Sequence, residues 1–405
     1  MYQYHTLNNG LRIVFKRNES PVLHSGVYIN IGSRDERAEE EGMAHFIEHC
    51  IFKGTEHRRA RHILNRIDGV GGELNAFTTK EETCVYASAL AEHLERCLEL
   101  YADILFHSTF PEEEIEKEKH VVLEEINSYR DTPSEQIYDD FEERIYQGHP
   151  MAHNILGSKR NVRHFSTTAL RAFMQRNYTT DRMVISVVGK TDFDRLVRMC
   201  EKYFGHYPRR MSAADRSVAP VPQHFSENLH RHTHQMHLML GGVAPSVYDT
   251  QRVAFSLLNN IVGGPAMNSR LNVAIRERYG FCYTIETQYT PFSDSGLFYL
   301  YAGIDGEAYK RCSELLHKEL LRLCEVRLTP IQLRSAQRQY VGQLAVMGES
   351  ALNEMQAIGK SYLSYDTVED EAELQQKILA VSADELRDVA CRYLMPGELS
   401  LLIYD

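Results

Sequence analysis

No apolar run in the 405 residues approaches the roughly 20 positions that a membrane-spanning helix requires, which excludes a helical membrane protein. The first residues, "MYQYHT", lack the basic and apolar regions of a secretory signal, so a cytoplasmic location is expected. The eight cysteines contain no CxxC pair. That argues against a disulfide framework or a structural zinc knuckle and fits a reducing compartment. Positive charge is in deficit: a net charge of −11 and a pI near 6.0 speak against a nucleic-acid partner. The glycine clusters "GVGG" (69–72) and "IVGGP" (261–265) lack the Lys-Ser/Thr ending of a phosphate loop and read as turns. What is present is ordinary for a globular protein, 43% hydrophobic and 25% charged, in a chain long enough for two domains.

A polar, proline-rich stretch from Pro208 to Pro222, "PRRMSAADRSVAPVP", separates two blocks of similar length. The expected organisation is an N-terminal domain over 1–207, a linker over 208–226 and a C-terminal domain over 227–405. The blocks share a layout. In the first, "VYINIG" (27–32) leads to a helix, a glycine turn and the alternating run "TCVYASAL" (83–90), and long helical segments follow around 91–130. In the second, "MHLMLGG" (236–242) leads to the helical stretch 249–264, the Gly280 turn and "GLFYLYAGI" (296–304), with a helix around 307–325. The reading is α+β, two homologous domains, each a mostly antiparallel sheet packed by helices.

Placed on one helix, "EEEGMAHFIEHCIFKG" (39–54) turns Met43, Phe46, Ile47, Cys50 and Ile51 to one side and His45, Glu48 and His49 to the other. Histidines four apart can reach a single ion, and H-x-x-E-H is the order of inverted zinc peptidases. A solvated polar face is the alternative. A third ligand has to come from elsewhere, and the helical segment "PEEEIEKEKHVVLEEINSYR" (111–130) offers one. Its apolar stripe is Ile115, Val122, Ile126 and Tyr129, with Glu118 and Glu125 in or beside it, whereas Glu124 points toward solvent. Carboxylates on a packed face need partners. A zinc ion would serve Glu125, and Glu118 could orient a ligand histidine; buried salt bridges to Arg or Lys are the alternative.

These stretches resemble the pitrilysin family of zinc peptidases, which includes the mitochondrial processing peptidase and the insulin-degrading enzyme. In the family's order they are "LNNGLRIVF", "GSRDE", "GMAHFIEHCIFKGT", "GGELNAFTTKEETCVYA", "EKEKHVVLEEINSYRDTP" and "SRLNVAIRERYGFCYTI", so the resemblance spans most of the chain. It implies His45, His49 and Glu125 as ligands of one zinc ion per chain, Glu48 as general base on a water at the fourth position, and Glu118 as the acid behind a ligand. It further implies that Asn75 and Ala76 present backbone to an extended peptide, and that Arg276 and Tyr283 assist at the substrate carbonyl. Cys50 stands where the family has a larger apolar residue. Family architecture implies half of a clam-shaped chamber per chain, completed by a homodimer or by a heterodimer with an inactive sister chain, and admitting short or unfolded peptides. The expected function is that of a zinc metalloendopeptidase, with a non-catalytic peptide-binding or assembly subunit, or zinc chemistry on non-peptide substrates, as the alternatives.

Three further features carry less. "HRHTHQMHLML" (230–240) reads as an exposed strand face with His230, His232 and His234 on one side and His237 on the other. "EHRRARH" (56–62) reads as solvated surface, and 377–394 as an amphipathic helix starting near Ser382 or Asp384.

Overall fold

A computed structural model describes residues 1–209, 216–221, 223–231 and 233–405. The chain forms two compact units. The first comprises Met1–Asn127, His153–Ser217 and Val346–Val368; the second comprises Ser128–Ala152, Val218–Ala345 and Glu369–Asp405.

The first unit is built on strands β1 (Tyr2–Thr6), β2 (Arg12–Arg17), β3 (Val22–Ile29), β4 (Glu73–Thr78), β5 (Thr83–Leu90) and β6 (Met183–Gly189), in the order β1-β2-β6-β3-β5-β4. The β2–β6 pair is parallel and every other pair is antiparallel. The second unit is built on β7 (Ser226–Leu229), β8 (Met236–Val243), β9 (Cys282–Pro291), β10 (Gly296–Ile304) and β11 (Ser400–Tyr404), in the order β7-β11-β8-β10-β9. Here β7–β11 is the parallel pair and the remainder are antiparallel. With β1 set aside, both sheets run first, fifth, second, fourth, third strand, with the parallel pair in the same place. The architecture is α+β, with one topology used twice.

Both faces of each sheet are covered, so the interior strands β6 and β10 are buried along their whole length and are mostly apolar. Ile13, Phe15, Val27, Ile29, Val85, Ala87, Ile185 and Val187 point into the larger core of the first unit, beneath helices that include Leu94–Phe106 and Phe193–Phe204. Their alternates Val14, Tyr28, Cys84, Val184 and Val188 meet Met355, Ile358 and Tyr362 of the helix Ala351–Tyr365. In the second unit Leu238, Phe298, Leu300 and Ala302 face the larger core. Met239, Tyr299, Tyr301, Leu402 and Tyr404 meet Ile137, Phe141 and Ile145 of the helix Pro133–Ile145.

The units depart from the sequence boundaries at these two covering helices. The helix Pro133–Ile145, from within 1–207, covers the second sheet, and Ala351–Tyr365, from within 227–405, covers the first. An amphipathic stripe states that a helix covers something but not which sheet. Of the 208–226 segment, 210–215 and 222 lie outside the described residues; Arg216 is held by two bonds to Asp35, at 2.8 and 3.0 Å.

Other expectations shift locally. The helix read over 39–54 is confined to Met43–Cys50, because Gly42 at φ +91° separates it from a short 3-10 turn, Ala38–Glu40. In the helix Glu112–Arg130 the buried stripe ends at Ile126, and Tyr129 is exposed. The 377–394 segment is divided between Glu371–Ala380 and Ala383–Tyr393, the second capped by the Ser382 hydroxyl. The histidine run is not one strand face: β8 starts only at Met236, His237 is buried against the Tyr301 hydroxyl at 2.8 Å, and His230 bonds Asp405. His232 lies outside the described residues. In "EHRRARH", Arg58 and His57 are drawn to buried Asp103, at 2.6 and 2.7 Å, since a carboxylate buried to that degree requires counter-charges.

The covering helix of the first unit lies very close to its sheet. A Cβ on Gly359 would fall 2.5 Å from the buried Tyr28 ring and 3.0 Å from Ser186 Cβ, while the Ser186 hydroxyl donates to Met355 O at 2.6 Å. Gly359→Val is therefore expected to cost about 1–3 kcal/mol through overpacking, read as a lower urea midpoint for the first unit.

Candidate metal centre

The helix Met43–Cys50 buries Met43, Ala44, Phe46, Ile47 and Cys50 in the first unit's core, with the Phe46 ring 5.2 Å from that of Phe165. His45 and His49 leave the same helix one turn apart, their ring centroids 4.6 Å from each other. The helix Glu112–Arg130 places Glu112, Glu113 and Glu114 at the positive end of its dipole and buries Ile115, Glu118, Val122 and Ile126. Glu125 is half-buried beside that stripe, whereas Glu124 is exposed and accepts from Asn127 of its own helix.

Glu125 Oε2 lies 3.8 Å from His45 Nε2 and 3.6 Å from His49 Nε2. These separations are too long for hydrogen bonds. They suit donors sharing one ion, because ligands about 2.0–2.2 Å from zinc at tetrahedral angles sit roughly 3.4 Å apart. Among the described residues neither Glu125 Oε2 nor His45 Nδ1, both buried, has a hydrogen-bond partner. Buried polar atoms are normally satisfied, and a divalent ion would satisfy this carboxylate oxygen. Among the described residues this is the one group of three potential ligands within 4.8 Å of one another. The residues fit a metal ion.

The electrostatics agree with that fit. Burial, aided by neighbouring His49, pushes His45 down to about 3, so its imidazole is neutral and its lone pair free at neutral pH. Burial also opposes the charging of His49, but the bond to Glu118 and the carboxylates of Glu125 and Glu48 outweigh it and raise its pKa. Glu118 Oε2 is 3.2 Å from His49 Nδ1, which fixes the ring and leaves Nε2 toward Glu125. Glu118 also takes a salt bridge from Lys53 at 2.7 Å; burial works to raise its pKa, but His49 and Lys53 together bring it below the usual carboxylate range. Glu48 is raised by burial, against the pull of the Thr78 hydroxyl, which donates to Glu48 Oε2 at 2.6 Å.

Thr78 ends β4, the free edge of the first sheet. Asn75 and Ala76 lie in the same strand, paired with Tyr86 and Val85 of β5 on its inner side. Arg276 and Tyr283 belong to the second unit. Arg276 lies in a π-helical stretch, Asn272–Glu277, and Tyr283 stands 81% exposed on the edge strand β9. The structure thus brings together His45, Glu48, His49, Glu118 and Glu125.

Three participants had escaped the reading of the sequence. Lys53, four residues after His49, balances Glu118; Thr78 orients Glu48; and Glu36 of "GSRDE" bonds the first turn of the histidine helix. None of the three carries a local periodic signal: Lys53 lies beyond the end of the helix at Cys50, and its partner Glu118 is on another helix.

Residues 12–159 match the model of the insulinase family, peptidase family M16, and residues 164–340 match that of the peptidase M16 inactive domain. The chain belongs to peptidase family M16. A Bacillus subtilis relative, the uncharacterized zinc protease YmxG, is 36% identical over 96% of this M16 chain and 95% of its own length. An uncharacterized zinc protease of Rickettsia felis is 30% identical, over 95% of the chain and 93% of its own length. The fold matches the crystal structure of a protease from Helicobacter pylori with a TM-score of 0.93 at 21% identity, covering 100% of this chain and 99% of that one. The pitrilysin-type resemblance is thereby shown for both halves of the M16 chain.

Glu125→Gln should weaken zinc retention by at least about 100-fold, because the neutral amide leaves the ion one charged ligand short. Glu124→Gln should leave it unchanged. Competition with a chromogenic chelator measures both, and equal losses would remove Glu125 from the site.

Proposed function

We propose that this M16 chain is a zinc metallopeptidase, with His45, His49 and Glu125 holding one zinc ion and Glu48 as the general base. The observation that carries the reading is the unpaired Glu125 oxygen between two imidazole nitrogens, beside a carboxyl group held by a hydroxyl of an edge strand. Relatives named zinc proteases over nearly the whole chain support it, and two nitrogens with one carboxylate oxygen are a donor set suited to zinc.

When bound, zinc supplies a Lewis acid that makes water nucleophilic near neutral pH and polarises a carbonyl. Glu48 takes the proton of the attacking water and passes it to the leaving amine, and its raised pKa brings it nearer the operating pH. Thr78 holds one Glu48 oxygen, leaving the other for that transfer. Glu118, balanced by Lys53, keeps His49 oriented through Nδ1. Asn75 and Ala76 present the free edge of β4 to an extended peptide as an added strand. Arg276 and Tyr283 donate to the developing oxyanion, in trans within a homodimeric chamber of four such domains. The substrates are short or unfolded peptides, cleaved internally, and the location is cytoplasmic. A heterodimer with an inactive sister chain is the alternative assembly.

A digest of a broad library of unstructured peptides, with and without chelator and read by mass spectrometry, tests the reading. Zinc-dependent internal cleavage is expected; metal-loaded protein that cleaves none would favour a non-catalytic binding subunit. Glu48→Gln should keep about one zinc per chain and lose activity by a factor of at least about 100, the scale of a lost general base. Mixing Glu48→Gln with Arg276→Ala subunits should recover part of the activity lost in each, and no recovery would argue against a site shared between subunits.

A further inference from the structure

A second buried carboxyl group stands behind the histidine helix. Glu36 is 3% exposed; its Oε1 accepts from the Ala44 N–H at 2.7 Å and its Oε2 from the Gly42 N–H at 2.9 Å. N–H groups at a helix start have no partner within the helix, and Gly42, at the cap position, has no side chain to supply one. The cap comes instead from upstream in the chain. His45 directly follows Ala44, and Glu48 and His49 lie one turn further, so a shift of the first turn carries all three.

The segment holding Glu36 is fixed from the other direction as well. A Cβ on Gly32 would lie 2.3 Å from Thr79 O, a backbone approach open only to glycine. Ser33 N–H donates to Thr79 O at 3.1 Å and Arg34 N–H to Lys80 O at 2.8 Å. Asp35 accepts from Gly32 N–H at 3.0 Å and is clamped by Arg216. Thr79 adjoins Thr78, whose hydroxyl holds Glu48. On the far side of the cap, Gly42 packs on Gly157 so closely that a Cβ there would meet Gly157 Cα at 2.7 Å. Residues 32–36 thus grip the end of β4 with backbone and the start of the histidine helix with one side chain.

We propose that Glu36 is a positioning residue for the metal centre: its carboxyl group sets the first turn of the histidine helix against the end of β4, and thereby sets His45, His49 and Glu48 against Thr78. Its consequence for turnover rests on the peptidase reading; its consequence for helix order and metal retention does not.

The test compares wild type, Glu36→Gln, Glu36→Ala and the exposed neighbour Glu39→Gln, each as folded, monodisperse full chain. Glu36→Gln keeps the volume and one acceptor, so it serves even if Glu36→Ala fails to fold. Hydrogen–deuterium exchange of a peptide covering 42–50 in metal-free protein should be faster in Glu36→Gln by about 3–10-fold, the scale of one lost buried hydrogen bond. Zinc retention against a chelator should fall about 10–100-fold, as for groups that orient ligands. With peptide substrate, kcat should fall by about 10–100-fold while KM changes less than about twofold, because the reacting groups are misplaced and the strand edge is intact. Glu39→Gln should match wild type throughout. Wild-type exchange and zinc retention in Glu36→Gln would overturn the proposal, as would a lowered melting temperature with neither altered. Wild-type protein that binds zinc but cleaves nothing counts against the peptidase reading alone, and exchange and retention still decide the role of Glu36.

Discussion

Glu125 Oε2 is buried without a hydrogen-bond partner among the described residues, and two imidazole nitrogens face it at 3.6 and 3.8 Å. A carboxylate oxygen in that position, without a donor, is suited to a cation. His45 cannot be that cation near neutral pH, since burial holds it uncharged, and any charge His49 carries is shared with Glu118. The surrounding elements answer this constraint. The helix Glu112–Arg130 places one carboxylate, Glu125, beside its buried stripe and another, Glu118, within it, and Glu118 is paired with Lys53 and His49. A centre of this kind stores, in the metal-free chain, an electrostatic cost that metal binding relieves, so affinity and fold stability are linked.

The same constraint separates the two units. Their sheets share one strand order, and with β1 set aside a helix lies between the second and third strands along the chain in each, Met43–Cys50 in one and Arg252–Gly263 in the other. The second of these buries Phe255, Leu257, Leu258 and Val262, and among the described residues no ligand triad forms around it. Without an ion to compensate it, a buried carboxylate has no place in such a core, and apolar packing takes over. The label of the second family model, an inactive domain, accords with that difference.

Much of the first unit's site can be read from the chain because it depends on helical phase. His45 with His49, and Glu125 as against Glu124, follow from 100° per residue and from the burial of Ile115, Val122 and Ile126. The alternation of β5 and the apolar length of β10 are equally local signals. Contacts made at long range are not. Nothing in the periodicity of Pro133–Ile145 or Ala351–Tyr365 says which sheet each covers, so the boundary drawn at the proline-rich segment missed both helices. Thr78 acts through one bond and Glu36 through two, with partners set by tertiary structure, and a threonine in a strand or a glutamate in a turn carries no periodic mark. The limits of Met43–Cys50 fall in the same class, because they depend on Gly42 adopting φ +91° where Gly157 crosses it.

One strand joins the two halves of the proposed chemistry. β4 offers a free edge along Asn75 and Ala76, and its last residue, Thr78, donates to Glu48. In the peptidase reading a peptide pairs with that edge, so its register and the orientation of the base are set by the same backbone rather than by separate loops. A peptide seated one residue out of register would present its opposite face and displace the scissile carbonyl by about 3.3 Å, beyond any near-attack distance. Selectivity among unfolded chains can then arise from backbone pairing together with the few side chains beside β4, without a deep pocket for any one residue.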